Sequence, residues 1–546
     1  MSVRTIGRLF VFSSAVALAA GVMWVAAPES AGVAIGAPPV ATPAPESVAD
    51  ISARLARLFC VERATPLSGK ELGSLKVGVR PNPAASAATP RPDVRWLVPD
   101  IAIRVRGEHV VRDAATRQWM VGTYDAGERA VIGSATYKDI DELYAALDYH
   151  ALPKPPEGFT LCEVARLPDF PTRLASDGKG GPLFVLCQSG DVYRVDRGRD
   201  PSLPRRVLEA RSYLKAGYWF TLGLMLDPDG RLYVVANERD DTVTPVMNRV
   251  TIFRTAPRSA DAVTLKQEPW LKVEFPYEIK TFNHGVSHIA AGPDGCFYVN
   301  SGSRTDAGEE GEDPRFAQIG EIDLTACVWR IDPRNDPPRV EVFARGLRNT
   351  YGFCWDARGR MIATDNGPNR DAPEELNFIE QGRHYGFPYA FSDLAERPYT
   401  HTPKAPKPAG EFVKPIPNLG PDGGYADGRA ISTFTPHSCP SGIVCLGADF
   451  PEAYRGAFLV ARFGNMIPGS TASGFDLLRL DLQDNDGKPQ GVKVHRMLSP
   501  LGRPIDVHHW GEGTIAICEY AREVTFPSSV PMLPGRILEL RAEGRR

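Results

Sequence analysis

The nine cysteines of this 546-residue chain include no CxxC pair and no CxxCH segment. That excludes zinc ribbons, thioredoxin-like redox sites and covalently attached c-type haem. The cysteines are scattered, so they do not form the framework of a disulfide-held scaffold. Only Cys439 and Cys445 lie close enough in sequence to suggest a pair in an oxidising compartment. Charge of one sign is also lacking: 63 basic residues face 66 acidic ones, for a net charge of −3. Nucleic acid and anionic membrane surfaces therefore have no electrostatic footprint to meet. Long apolar runs are confined to one place. Arg4 and Arg8 precede an apolar stretch from Leu9 to Ala27, and small residues follow it. Residues 1–27 read as an export signal, with Val25-Ala26-Ala27 as a cleavage site, or as a single membrane anchor. Residues 28–50 are rich in Pro and Ala and read as a linker. The rest of the chain is expected outside the cytoplasm, periplasmic or otherwise extracytoplasmic.

What the chain does have is turn residues, with 51 glycines and 49 prolines. Residues 51–150 read as a small mixed α/β region. A helix capped by Asp50 is expected through Cys60, strands over 100–107 and 118–124, and a second helix from Asp139 to His150 with Leu143, Ala146 and Leu147 on one face. No motif there carries chemistry, and packing or spacing is its expected role. From 151 onward a turn glycine followed by an apolar strand with a polar end recurs six times: at 177–188, 227–238, 292–303, 356–367, 454–465 and 510–520. Such periodicity predicts an all-β fold, a six-bladed β-propeller over 151–546. If the repeated strands are innermost, their polar ends converge on one mouth: Asn237, Glu238, Asn300, Asp365, Asn366, Arg462 and Glu519. The Pro-rich insertion at 386–432 is expected to be a surface loop.

Four segments carry a resemblance to a known family. They are FNHGVSHIAAGPDGCFYV (282–299), ARGLRNTYGF (344–353), TDNGPNRDAPEELNFIEQGRHYGFPYA (364–390) and TPHSCPSGIVC followed by FPEAYRGAFLVARFGN (435–465). In this order they resemble the quinoprotein glucose/sorbosone dehydrogenases, and the last two lean toward the sorbosone type. The resemblance implies pyrroloquinoline quinone (PQQ) and calcium as cofactors, and a sugar or aldehyde as substrate. It implies His284 as general base, Arg348, Asn349 and Arg503 as cofactor contacts, and the backbone carbonyls of Gly367 and Pro368 as calcium ligands. An imidazole suits the base role, because its ordinary pKa lies near neutrality. A hard cation wants oxygen ligands. With no haem motif present, electrons are expected to leave to a separate acceptor.

The chain also departs from that pattern. GYWFTLGL (217–224) stands where the glucose enzymes have a cofactor-contacting glutamine, so Trp219, with Phe220 beside it, is the expected contact there, by stacking. Arg462 occupies the place of a lysine, and Ile505 that of a second arginine. Two further readings stay open at this level. One is a non-catalytic binding propeller. The other is a lactonase-like metal hydrolase with Asn237, Asn300, Asp365 and Glu519 around one ion, since a fold does not dictate a function.

Overall fold

A computed structural model describes residues 46–80, 93–197, 204–257, 265–277, 284–311, 313–392, 410–424, 432–467, 473–526 and 532–544. The expected export segment and the linker up to residue 45 lie outside the described residues, as do 393–409 and 425–431 of the Pro-rich insertion. No helix among the described residues is long and apolar enough to cross a membrane. The chain divides into two compact units, the body of the first ending at Asp148 and the second beginning at Tyr149.

The first unit opens with the helix Val48–Leu58. Its cap is Ser47 rather than Asp50. The Ser47 hydroxyl accepts the Asp50 backbone N–H at 3.2 Å, and the Asp50 carboxylate accepts the Ser47 N–H at 3.3 Å. This reciprocal box satisfies two otherwise orphaned donors. The second expected helix is Ile140–Leu147, capped by Asp139, with Leu143 and Leu147 buried. Between the helices runs one seven-stranded sheet, which includes Pro99–Val105 and Trp119–Asp125. Val77, Val111, Met120 and Val131 form its apolar layer.

The second unit is a ring of six sheets. Their first strands are Pro171–Ala175, Tyr218–Leu226, Val286–Ala291, Phe353–Trp355, Pro440–Cys445 and Pro504–Gly511. These strands pack on one another around a hub, and the last lies against the first. The approach is close. A Cβ added at Gly223 would lie 2.1 Å from the Ser287 carbonyl oxygen, and one at Gly442 would lie 2.5 Å from Asp506 Cα. Glycine is needed wherever backbones touch in this way. Blade six is completed by Phe159–Arg166, the earliest strand of the unit, which pairs antiparallel with Arg536–Ala542. The ring is therefore closed by both ends of the chain that builds it.

The six repeated segments form the turn and the second strand of each blade's first hairpin: Leu183–Cys187, Leu232–Asp240, Phe297–Ser301, Met361–Asp365, Phe458–Arg462 and Thr514–Glu519. They are not the innermost strands. A glycine turn marks a hairpin without saying which of its strands faces inward. The insertion after blade four also differs from a plain loop, because Asn418–Pro421 joins blade five as a parallel outer strand. Cys439 precedes and Cys445 ends one strand, Pro440–Cys445, and all nine cysteines are free. At about 3.3 Å per residue the two sit too far apart for a disulfide.

Blades six and one meet through His508, whose Nε2 accepts the Ser176 backbone N–H at 3.0 Å. Burial first, then the neighbouring His509, lowers the His508 pKa to about 4. The unfolded chain takes up that proton near pH 6.5, so stability rises with pH between about 4 and 6.5. Urea midpoints at pH 5 and pH 7 are expected to differ less in His508→Gln than in the wild type.

Candidate functional site

Because the first two strands of each blade are antiparallel, the starts of first strands and the ends of second strands share one end of the ring. The candidate site residues Trp219, His284, Arg348, Asn349, Gly367, Pro368, Arg462 and Arg503 lie at that end. His284 stands just before the first strand of blade three. Its backbone N–H donates to the Ser303 carbonyl at 3.3 Å, and its Nδ1 lies 3.0 Å from Ser303 Oγ. Burial, and after it the Arg348 charge, holds the imidazole well below the ordinary histidine range. It is therefore neutral at pH 7.

Arg348 and Asn349 precede the first strand of blade four. The Arg348 guanidinium is buried and donates through Nε to the Asp306 carbonyl (2.8 Å), through Nη2 to Asp306 Oδ1 (2.7 Å) and through Nη1 to the Asn366 carbonyl (3.0 Å). The backbone N–H groups of Arg348 and Asn349 both donate to the Asp365 carboxylate, at 2.9 and 2.5 Å. Burial, then the nearby Glu375, pushes the Asp365 carboxyl well above its ordinary range. Ser303 N–H donates to the Arg348 carbonyl at 2.7 Å, and the Asn366 side chain donates to the Asn349 carbonyl at 3.2 Å. One chain of bonds thus runs from His284 through Ser303, Arg348 and Asn349 to Asn366. Among the described residues, Asn349 Oδ1 and Asn366 Oδ1 are buried without a hydrogen-bond partner. A Cβ at Gly302 would lie 2.4 Å from His284 Cβ and 3.3 Å from Asn349 Oδ1. The root of the imidazole and an unsatisfied amide oxygen therefore flank the same glycine.

Gly367 and Pro368 continue from Asn366, and the next N–H, that of Asn369, donates to Asp306 Oδ1 at 3.1 Å. Asp306 thereby ties this loop to Arg348. Behind Gly367 lies Phe391, whose Cε1 would be 2.9 Å from a Cβ there. Glu374 also backs the loop. Its carboxylate accepts Ser438 Oγ (3.0 Å) and Cys439 N–H (2.6 Å), and burial pushes its pKa up to about 7.

The other expected contacts are engaged elsewhere. Arg462 forms a buried two-point pair with Asp476, at 2.8 and 2.7 Å. Arg503 pairs with Glu523 and donates to the Gly464 and Asn465 carbonyls at 3.2 Å. Trp219 turns its Nε1 to the Lys215 carbonyl at 3.1 Å. It is Phe220 that faces the histidine segment: a Cβ at Gly285 would lie 2.5 Å from its Cε2. Of the polar ends expected to converge on the mouth, Asp365 and Asn366 lie in the His284 cluster, whereas Asn237 joins blades two and three and Glu519 and Asn300 are engaged within their own blades. Asn237 bonds both the N–H and the carbonyl of Val286, at 2.8 and 2.9 Å, and Glu519 is held by Arg536 at 2.8 Å. Asn300 bonds Ser287 within blade three, at 2.8 Å.

Below the site the hub is filled. Arg173, on the first strand of blade one, lies 3.9 Å over the Tyr351 ring and donates to the Leu222 carbonyl (2.9 Å) and to Asp506 (3.3 Å). These contacts join blades one, two, four and six at the hub. Sequence reasoning missed Ser303, Asp306 and Arg173. The polar run continuing past Asn300, Ser-Gly-Ser-Arg-Thr-Asp at 301–306, was the available signal for the first two. Arg173 gave none, since it stands alone in an apolar strand.

The family model described as Glucose / Sorbosone dehydrogenase matches residues 221–523. No curated protein sequence matches the chain. Among solved structures, the PQQ-bound aldose sugar dehydrogenase of Streptomyces coelicolor is 20% identical, with 71% of this chain and 99% of that chain covered, at a TM-score of 0.48. A putative oxidoreductase (glucose dehydrogenase) of Thermus thermophilus is 21% identical, with 70% and 100% covered, at 0.48. The soluble aldose sugar dehydrogenase of Escherichia coli is 15% identical, with 70% and 100% covered, at 0.44. The propeller assignment rests on the sheet order above.

Proposed function

We propose, since the chain belongs to the glucose/sorbosone dehydrogenase family, that it oxidises a hydroxyl of a sugar or of an aldehyde hydrate, with PQQ and calcium bound at the hub. The observation that carries this reading is the neutral, part-buried imidazole of His284, bonded into one cluster with two buried amide oxygens that lack a partner among the described residues. The donor set suits both groups. Asn349 Oδ1 and Asn366 Oδ1, with the carbonyls of Gly367 and Pro368, are hard oxygens of the type calcium takes. Of the expected arginines, Arg348 is the one bonded into the His284 cluster. Its pairing with Asp306 fixes the plane of the guanidinium for a carboxylate of the quinone.

When bound, the quinone supplies the hydride acceptor and calcium polarises its carbonyl. The protein's part is separate. His284 takes the hydroxyl proton, and burial, with the positive charge of Arg348 behind it, keeps the imidazole neutral until it does so. Ser303 and the backbone of blade three hold the ring in place. The contacts of Arg173 with Tyr351 and Asp506 brace the hub beside the segment that carries Arg348 and Asn349. Electrons then pass to a separate acceptor, and the expected export segment would place this chemistry outside the cytoplasm.

The test is to titrate the purified full chain with PQQ in the presence of calcium, following the absorbance of the quinone, and then to add a panel of aldoses and aldehydes with a redox dye. Saturable binding followed by bleaching with at least one sugar is the expected result. No binding at any calcium concentration removes the reading.

A further inference from the structure

We propose that Cys354 and Cys445 form a disulfide between blades four and five in the oxidised protein, and that this bond clamps the base of the long insertion joining those blades. The two thiols share one layer. On the first strand of blade four, Phe353 and Trp355 pack toward blade three, in the cluster of Tyr298 and Val328. Cys354 between them points the other way, into the layer of Ile443, Phe458 and Val460 of blade five. On the first strand of blade five, Val444 packs toward Ile515 and Ile517 of blade six. Ile443 and Cys445 point back, into the same layer as Cys354. Strand alternation sends neighbouring side chains to opposite faces, so each cysteine is aimed at the other's blade.

The two strands also lie close and level. A Cβ added at Gly352 would lie 2.0 Å from the Ser441 carbonyl oxygen and 3.2 Å from Gly442 Cα. With a C–C bond of about 1.5 Å, the Cα atoms of Gly352 and Gly442 are within about 5 Å of each other. Thr364 Oγ1 donates to the same Ser441 carbonyl at 3.0 Å and ties the hairpin of blade four to it. Cys354 stands two residues beyond Gly352, and Cys445 three beyond Gly442. The register shift between Pro440 and Ile443 takes up one residue of that strand, which brings the cysteines about level. A disulfide asks for Cα atoms within about 7 Å and side chains aimed at one another. Both cysteines are half-buried. Burial, then the Cys445 thiol, pushes the Cys354 thiol well above its ordinary range, and burial, then Asp356, pushes Cys445 up to about 11. Thiols in that state react slowly near neutrality, so the bond is made most readily while the blades assemble.

Closing it takes a disulfide-exchange partner, of the kind an oxidising compartment beyond the expected export segment supplies. One cysteine, as thiolate, attacks the partner's disulfide and releases a thiol. The other attacks the resulting mixed disulfide and releases the second thiol. The two cysteines lose two protons and two electrons, and the partner's disulfide takes them up as two thiols. The closed loop runs from 354 to 445 and holds the whole insertion. A crosslink acts mainly by restricting the unfolded chain, and a long loop gives it the most to restrict. The pair takes no part in the quinone chemistry proposed above.

The test treats the full chain with a mixture of reduced and oxidised glutathione in two ways: during refolding from the reduced, unfolded state, and on the native protein at mildly alkaline pH. Each sample is then unfolded with N-ethylmaleimide and digested without reductant. The expected result is a joined peptide pair carrying Cys354 and Cys445, absent from Cys354→Ser and from Cys445→Ser. In urea, the unfolding equilibrium constant of the oxidised wild type should be about a hundredfold to a thousandfold smaller than that of the reduced protein. The same oxidation should leave both serine variants unchanged. Alkylation of Cys354 and Cys445 in both samples overturns the proposal, and so does pairing of either with a different cysteine. A joined pair whose urea transition matches that of the reduced protein overturns the clamp.

Discussion

His284→Asn is expected to lower kcat about a thousandfold while leaving quinone binding intact. A positioned general base contributes on the order of 10² to 10⁴ in rate, and asparagine keeps much of the size of the side chain but offers no basic nitrogen. The histidine touches the cofactor region through neighbours, Ser303 and the Arg348 segment, rather than by holding up the fold. The PQQ titration should therefore saturate at a similar concentration in the variant. The pH profile gives a second check. Burial, with the Arg348 charge behind it, keeps the imidazole well below its ordinary range. A base with a lowered pKa stays active as pH falls past 6.5 and loses activity only at lower pH. The wild type should accordingly show a flat kcat/KM from neutrality down to mildly acid pH. A variant whose kcat lies within tenfold of the wild type would return His284 to a hydrogen-bonding role, and another residue would have to serve as base.

How far the sequence led can be traced residue by residue. The six blades were legible because each first hairpin needs a residue at positive φ in its turn, and Gly178, Gly230, Gly295, Gly359, Gly456 and Gly513 supply it at φ of 67, 75, 77, 76, 77 and 68°. Such a demand is local, so it leaves a local mark. Which strand of the hairpin faces the hub is not local. It depends on how neighbouring blades approach, and the traces of that approach, Gly223 and Gly442, look in sequence like any other glycines. The site divides along the same line. His284, Arg348, Asn349 and the 367–368 loop fall in segments with recognisable neighbours, and they form one bonded cluster. Arg462 and Arg503 come from equally plausible positions, yet Asp476 and Glu523 engage them. Nothing in the sequence announces a carboxylate that arrives from another strand or loop. Asp306 shows the difficulty most clearly: it meets Arg348 across 42 positions of sequence and the Asn369 N–H across 63. The same reasoning explains why the sequence offers both Trp219 and Phe220 as stacking residues. Strand alternation sends adjacent side chains to opposite faces, and the sequence does not say which face meets His284.

Arg536→Met is expected to destabilise the propeller by about 3–5 kcal/mol, the usual cost of removing one partner from a buried ion pair. Arg536 sits where the ring closes. It opens the strand Arg536–Ala542, which pairs on one side with Thr514–Glu519 and on the other with Phe159–Arg166. Its guanidinium reaches Glu519 at 2.8 Å and Glu163 at 2.9 Å, with the His150 carbonyl a third acceptor at 2.8 Å. Glu519 is fully buried and keeps only His150 Nε2 (2.9 Å) and the Gly502 N–H (2.7 Å) once the arginine is gone. Burial alone pushes this carboxyl up. The His150 hydrogen bond and the Arg536 charge outweigh it, so the net shift is downward. A carboxyl with a lowered folded pKa contributes stability above the unfolded value near 4.3 and loses it as pH falls. The gap between wild type and variant in urea unfolding should therefore be widest near neutrality and should narrow below about pH 4.5. The double variant Arg536→Met/Glu519→Leu separates lost charge pairing from lost closure. If the cost lies in a stranded carboxylate, replacing both partners with apolar groups recovers most of it. If the double variant is as unstable as the single one, the guanidinium's bonds to Glu163 and the His150 carbonyl are what hold the last strand in the ring. A single-variant loss below about 1 kcal/mol, the range of exposed pairs, would mean that strand pairing alone closes the propeller.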